Sequence, residues 1–197
     1  MNKDFEKQYK YIWKTKTSRD VKYKQTSSEY CTKFVTELEK TRQVYNVDTI
    51  KDLPEKISGV YLIYSFKKDK TLKFSYIGES INILQRWKTH IYNFKKENKE
   101  SSKFRKKEKK LENLRFLVLS EIEDQNLRLK KETYYIYALR SKFTNTNTKL
   151  ANRKMRCENG HGVKRTFLTY HKDKPYFEMY IYGTCRNKIC DNKFLIN

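Results

Sequence analysis

Apolar residues change period several times along the chain. From Ser28 the pattern turns helical, with Tyr30, Phe34 and Leu38 recurring every four residues and Cys31 and Val35 beside them. Ser27 or Ser28 is placed to cap that helix, whereas residues 1–27 show no clear period. Pro54 and Gly59 bracket a turn. Val60–Phe66 then reads as a strand, Lys67–Thr71 as a polar turn and Leu72–Ile77 as a second strand. The two form a hairpin without the Asn-Gly or Asp-Gly signal of a tight turn. After Gly78, the residues Ile83, Leu84, Trp87, Ile91 and Phe94 share one face of a helix, with Ser80 or Asn82 as its cap. Arg115–Ile122 reads as a third strand, buried at Phe116–Leu119. Asp124 caps a further helix to about Leu139, with Leu127, Tyr135, Ile136 and Leu139 as its apolar positions. Thr144–Thr148 is Asn/Thr-rich and reads as a turn. Beyond it, Val163–His171 and Pro175–Tyr182 look like two strands joined at Lys172–Lys174.

Composition adds the sign of the charge. The 197 residues hold 45 Lys and Arg against 23 Asp and Glu, a net +22. The excess is +4 over residues 1–58, +12 over 59–152 and +6 over 153–197. It is densest at Lys103, Arg105, Lys106, Lys107, Lys109 and Lys110. Such a balance suits a polyanion, and nucleic acid above a membrane surface or an acidic protein. With 15% aromatic residues and 16 Tyr, the chain has the means to bury a core despite a mean hydropathy of -0.97. No apolar run approaches the ~18 residues of a membrane span, and Lys3, Asp4, Glu6 and Lys7 interrupt any signal-like start. The expected setting is cytoplasmic, or wherever the DNA lies, and neither secreted nor membrane-bound.

Two triplets carry the candidate chemistry. Gly59-Val60-Tyr61 and Tyr76-Ile77-Gly78 fall on the two strands of the hairpin. Arg86 and His90 follow on the next helix, and Glu132 lies on the later one. Adjacent strands can aim Tyr61 and Tyr76 to one face, and an i, i+4 pair can aim Arg86 and His90 at it as well. Glu132 offers a hard oxygen ligand for Mg²⁺. Activated water, charge stabilisation at phosphorus and help for the leaving oxygen are what phosphodiester hydrolysis needs. Each residue alone has a bland reading: a strand tyrosine, one cation among 45, or a surface ion pair of Glu132 with Arg128 or Lys131. Their order is what departs from chance.

That order resembles the GIY-YIG nuclease superfamily over about residues 59–152, with Val60 in place of Ile in the first triplet and the second triplet unchanged. Arg86-Trp87-Lys88-Thr89-His90 is similar to the Arg-x-x-x-His stretch of its phage-type homing endonucleases. Lys131-Glu132-Thr133-Tyr134-Tyr135-Ile136 is similar to the helix bearing the family's metal carboxylate, and Asn147, less readily Asn145, falls where the family has a late Asn. The resemblance implies an α+β fold in which helices flank a small three-stranded antiparallel sheet. It implies that Tyr61 helps deprotonate water with help from His90 or a metal-bound hydroxide, and that Arg86 stabilises charge on the phosphate. Tyr76 would orient the water or a phosphate oxygen, and Glu132 would bind Mg²⁺ or Mn²⁺. Residues 1–58 then form a basic helical N-terminal extension.

Four Cys occur, of which Cys31 stands alone in the first helix and reads as a buried hydrophobe. Cys157-x₃-His161 and Cys185-x₄-Cys190 flank the C-terminal hairpin, a zinc-ribbon-like layout suited to tetrahedral, structural Zn²⁺. His171 competes with His161 as fourth ligand, and a disulfide is the alternative. Residues 153–197 thus read as a zinc-stabilised DNA-binding module that grips DNA through Arg165 and Arg186. The candidate DNA contacts of the core are Lys103, Arg105, Lys106, Lys107 and Asn147.

The expected activity is Mg²⁺-dependent endonucleolytic cleavage of double-stranded DNA at specific sites, restriction-like or homing-type. A structure-directed repair or recombination nuclease and a non-catalytic zinc-containing nucleic-acid binder are the competing readings. One active set per chain means that a double-strand break takes two visits or a homodimer on DNA.

Overall fold

The computed structural model describes residues 21–96, 107–139, 141, 155–169, 180–187, 189, 190 and 193–195. The first helix, α1 (Val21–Thr41), starts seven residues before the predicted Ser28, so neither Ser27 nor Ser28 caps it. Strand β1 (Val44–Tyr45) follows, and then the hairpin of β2 (Gly59–Phe66) and β3 (Leu72–Ser80). Helix α2 (Ile83–Lys95) buries the five predicted apolar residues. Its cap is Asn82, whose side chain accepts from the Gln85 amide at 3.0 Å. Strand β4 (Arg115–Glu121) precedes helix α3 (Gln125–Ala138), which Asp124 caps by accepting from the Leu127 amide at 2.7 Å.

The main sheet is antiparallel and has four strands in the order β1-β4-β2-β3, not the expected three. The added strand comes from the N-terminal extension, where Val44 and Tyr45 pair with Leu117 and Phe116. Two residues carry no readable period, and their strand exists through pairing with β4. Side chains alternate across the sheet and fill two apolar clusters. One face joins Val60, Leu62, Ile77 and Leu117 to Cys31 and Val35 of α1 and Ile136 of α3. The other joins Tyr61, Ile63, Phe74 and Phe116 to Ile83, Trp87 and Ile91 of α2. Cys31 is buried and its thiol donates to the Leu139 carbonyl at 3.4 Å, as a packed hydrophobe with a weak donor. Leu127, predicted as an apolar position, is 46% exposed; Leu129 is buried in its place, while Ile136 and Leu139, just past the end of α3, are buried as expected.

A second sheet holds β5 (Val163–Thr169), β6 (Tyr180–Cys185) and β7 (Lys193–Leu195) in that order. It is three-stranded rather than the expected hairpin, and the described part of its second strand lies later than the predicted Pro175–Tyr182. The ring of Phe194 on β7 lies over Gly183, where any Cβ would meet it at 2.5 Å. The module docks on α3. The Asn126 side chain pairs with the Arg156 backbone like a neighbouring strand, donating to its carbonyl at 3.1 Å and accepting from its amide at 3.0 Å. Further along the helix, the Thr133 hydroxyl meets the buried Met155 sulfur at 3.8 Å.

Candidate active site and metal centre

The triplets meet along β3, which pairs on one side only among the described strands. Tyr61 lies opposite Gly78, and Tyr76 lies opposite Ile63, so the tyrosines are diagonal neighbours on one face rather than a direct pair. Their ring centroids are 6.4 Å apart. The two glycines have separate reasons. A Cβ on Gly78 would sit 2.3 Å from the Tyr61 hydroxyl oxygen, so only glycine lets the Tyr61 ring cross its neighbouring strand. A Cβ on Gly59 would sit 2.0 Å from the Ser120 carbonyl oxygen, where β2 and β4 approach closely.

Helix α2 packs on β2 and β3 and brings Arg86 and His90 to this face. The Tyr61 hydroxyl lies 2.9 Å from His90 Nε2, and the His90 ring is 5.3 Å from that of Tyr76. Arg86, exposed on its outer side, hydrogen-bonds to both tyrosine hydroxyls. Glu132 is half-buried on α3, and its charge reaches both phenols. The structure therefore brings Tyr61, Tyr76, Arg86, His90 and Glu132 together.

The electrostatics of the site follow from burial. Burial pushes the Tyr61 phenol well above its ordinary value, with Tyr76 and Glu132 adding to the rise and Arg86 opposing it. Tyr76 rises for the same first reason, with Glu132 next. Burial, then the Arg86 charge, pulls His90 down to about 3. At neutral pH a neutral phenol thus faces a neutral imidazole, and Nε2 can accept the Tyr61 proton when the ring carries its own proton on Nδ1.

One residue escaped the sequence reading. Arg128 is 2% exposed and ties α3 down. It pairs with Glu79, the residue after Gly78, at 3.1 Å and donates to the Ser58 hydroxyl at 2.8 Å. It also donates to the carbonyls of Ile122 and Glu123. Arg128 precedes Glu132 by four residues, so its tether sets which way the Glu132 face of α3 points. Its ion-pair partner is thus Glu79, on another element. The sequence signal was weak: an Arg on a polar helix, with a partner 49 residues away.

Of the candidate DNA contacts in the core, Lys103, Arg105, Lys106 and Asn147 lie outside the described residues. Lys107 is exposed. The segment after it is anchored by Glu108, 1% exposed, which pairs with Lys73 at 2.9 Å and accepts from Asn113 and the amides of Lys109 and Lys110. Burial raises this carboxyl, but those hydrogen bonds outweigh it and hold it at about 2.

In the module, Cys157, His161, Cys185 and Cys190 present ligand atoms all within 4.8 Å of one another. Cys157 Sγ lies 3.8 Å from the sulfurs of Cys185 and Cys190 and 3.7 Å from His161 Nδ1. Four ligands around one ion at ~2.3 Å for sulfur and ~2.0 Å for nitrogen stand about 3.6–3.8 Å apart, so the spacing fits tetrahedral zinc. The three cysteines stand as free thiols, well beyond the about 2.05 Å of a disulfide. The surrounding donors fit too: the Asn187 amide donates to Cys185 Sγ at 3.3 Å and the Asn159 side chain to Cys190 Sγ at 3.4 Å. Gly160, at φ +75, closes the turn between Cys157 and His161. His161 is the histidine of this cluster, and His171 lies outside the described residues. Arg186 is exposed beside it, and Arg165 is placed on β5 by its backbone.

Searches of curated proteins and of solved structures each found no match. Residues 57–148 match the family model described as the GIY-YIG catalytic domain. No helix among the described residues is long and apolar enough to cross a membrane. With both triplets on one hairpin and the helical residues gathered over them, residues 57–148 form a GIY-YIG catalytic domain, the hallmark of a nuclease superfamily, and imply a nuclease-type activity.

Proposed function

We propose that this chain is a divalent-metal-dependent endonuclease that hydrolyses double-stranded DNA at specific sites. The observation that carries the reading is the 2.9 Å contact between the Tyr61 hydroxyl and His90 Nε2, beside Arg86 and Glu132. The Tyr61 oxygen accepts a proton from the attacking water as its own proton passes to Nε2, so no free phenolate forms in a site that disfavours one. The low pKa of His90 keeps Nε2 in its accepting form, and a bound phosphate raises its basicity by opposing the Arg86 charge. Arg86 donates to the phosphate as negative charge builds on its oxygens. Tyr76 orients a phosphate oxygen or the water. Glu132 is a half-buried oxygen donor, and no cluster of three acidic or His ligands forms around it among the described residues. That donor set fits Mg²⁺ or Mn²⁺ held by one carboxylate and several waters. Such an ion, when bound, stabilises charge on the departing 3′ oxygen.

Site specificity is supported by the C-terminal module, docked on α3 through Asn126 and Met155 rather than hung on a free arm. This compact arrangement suits a restriction-like enzyme better than a homing enzyme with a tethered reader. A double-strand cut by this single active set calls for a homodimer on DNA or two visits. The test is cleavage of supercoiled plasmid and phage DNA in Mg²⁺ and in EDTA, by the natural chain and by Glu132→Ala. Discrete fragments from the natural chain alone, with the rate in the variant down by at least about 100-fold and DNA affinity retained, support the reading. Nicking or smearing favours a structure-directed nuclease, and binding without cleavage in any metal overturns catalysis altogether.

A further inference from the structure

We infer that helix α2 straddles the two backbones of a DNA duplex, with Arg86 on the strand to be cut and Lys88 and Lys95 on phosphates of the other strand; this rests on the nuclease reading above. The sequence of the helix, ILQRWKTHIYNFK, holds no acidic residue. Helices α1 and α3 each carry glutamate. The lack of acids runs against the local energetics. The positive end of the helix dipole favours an acid in the first turn, and none is there. Acids three or four residues from Lys88 or Lys95 would stabilise the helix by ion pairing. The dipole does favour Lys95 near the last turn, but it gives no reason for Lys88 in the middle. A uniform sign of charge along the helix suits a polyanion partner.

The packing of α2 leaves its outer half clear. Ile83, Leu84, Trp87, Ile91 and Phe94 are buried, whereas Gln85, Arg86, Lys88, Tyr92 and Lys95 are exposed. At about 100° per residue, Lys88 and Lys95 stand about 200° and about 180° around the axis from Arg86, so the cations lie on opposite flanks. Arg86 hydrogen-bonds to the hydroxyls of Tyr61 and Tyr76, which puts its flank at the candidate site. A helix with its side chains is about 10–12 Å across. A straight single backbone does not meet both flanks, whereas the two backbones of a duplex, about 6–12 Å apart across its grooves, do. Tyr92, 53% exposed, lies on the ridge between the flanks, with Lys96 Nζ 4.6 Å from its ring centroid. That contact steadies a further cation at the end of the helix. Among the described residues Lys88, Lys95 and Lys96 form no ion pair, so their charge is not consumed within the fold. Contacts of this kind set position on the duplex rather than reading bases, and the second flank selects duplex over single strand.

The test uses the full chain, in Ca²⁺ so that binding is read without cleavage. Fluorescence anisotropy follows a labelled duplex, and one of its strands alone, over a range of salt. The natural chain is compared with Lys88→Gln/Lys95→Gln and with Lys67→Gln/Lys68→Gln, which removes the same charge from exposed positions at the far end of β2. Circular dichroism certifies the fold of each preparation. The α2 variant is expected to lose about 1.8 units from the slope of log K against log salt on the duplex, with affinity falling about tenfold. Its slope on the single strand is expected to stay natural, and the hairpin variant is expected to keep the natural slope on both. An α2 variant with the natural slope on the duplex overturns the inference while leaving the nuclease reading intact. A loss of about 1.4 units on the single strand also overturns it, because the lysines then share a strand with Arg86. An equal loss in the hairpin variant overturns it as well, since net charge alone then accounts for the effect. Failure of the natural chain to bind any DNA defeats the underlying nuclease reading instead.

Discussion

In the catalytic domain, both faces of a four-stranded sheet are buried under helices, and each face has an apolar cluster of more than ten residues. In the C-terminal module, the buried apolar side chains among the described residues are Met155, Cys157, Val163 and Cys185, and two of these belong to the Cys/His cluster that is compatible with a metal. Yet the two regions share a device: Tyr61 lies over Gly78 of the adjoining strand, and Phe194 lies over Gly183. In the first case the crossing ring carries a hydroxyl into the candidate site, 2.9 Å from His90 Nε2. In the second it covers a thin sheet. A region with enough core can place an aromatic crossing in its candidate site, whereas a region with little core uses it to gain packing, and its Cys/His cluster is of the kind through which a small module gains stability when a metal binds.

The sharpest way to break this contrast is to remove the metal. Structural zinc contributes on the order of 10 kcal/mol in small zinc modules. Chelation, or Cys185→Ser, is expected to open residues 155–195 to hydrogen exchange while residues 59–139 keep their protection. Equal loss in both regions would mean that the module props up the core. Arg128→Met comes next. It leaves Glu79 without its cation in a largely buried place, and a loss of about 3–5 kcal/mol is expected in urea unfolding. Arg128→Met/Glu79→Leu is expected to recover much of that loss but not the rate of cleavage, because the orientation of Glu132 depends on the tether.

Gly78→Ala should cost about 1–3 kcal/mol by crowding Tyr61. Its signature is a fall in cleavage rate larger than that stability loss, since the hydroxyl is driven away from His90. Gly183→Ala is expected to lower zinc affinity instead, with cleavage by the zinc-loaded chain affected less. Least in magnitude are the proton-linked effects. His90 is held at about 3 against an ordinary 6.5, so the unfolded chain takes up that proton first. Stability from this source is complete above pH 6.5 and falls as pH drops toward 3. Glu108 is held at about 2 against 4.5, so its contribution is complete above pH 4.5 and falls toward 2. Between pH 6.5 and 4.5 His90 alone of these two acts, and His90→Gln should flatten that part of the curve by about 1–2 kcal/mol.

What could be read in advance follows the range of the interaction. Helix α2 was legible because its apolar face and its Asn82 cap are local facts. The metal cluster was legible because few residue types make tetrahedral sites and four of them bracket one sheet. The gathering of Tyr61, Tyr76, Arg86, His90 and Glu132 followed from pattern and resemblance, although the diagonal register of the tyrosines needed the strand pairing. Strand β1 was not legible, because two residues have no period and their partner lies more than 70 positions away. Leu127 misled because hydrophobicity was counted without knowing which side of α3 faces the sheet. Arg128 was hidden for a similar reason: nothing local marks a buried arginine whose acid sits on another element.

Helix α3 has a property best stated as an angle. Residues on it turn by about 100° each, so the Asn126 and Thr133 side that holds the module stands roughly 130° around the axis from the Arg128 and Glu132 side, whose carboxylate acts on Tyr61 and Tyr76. One added residue between Lys130 and Lys131 would swing Glu132 and Thr133 together out of phase with Asn126 and Arg128, parting each pair at once. The helix therefore works as a camshaft, keyed so that the carboxylate and the metal knuckle share a single timing.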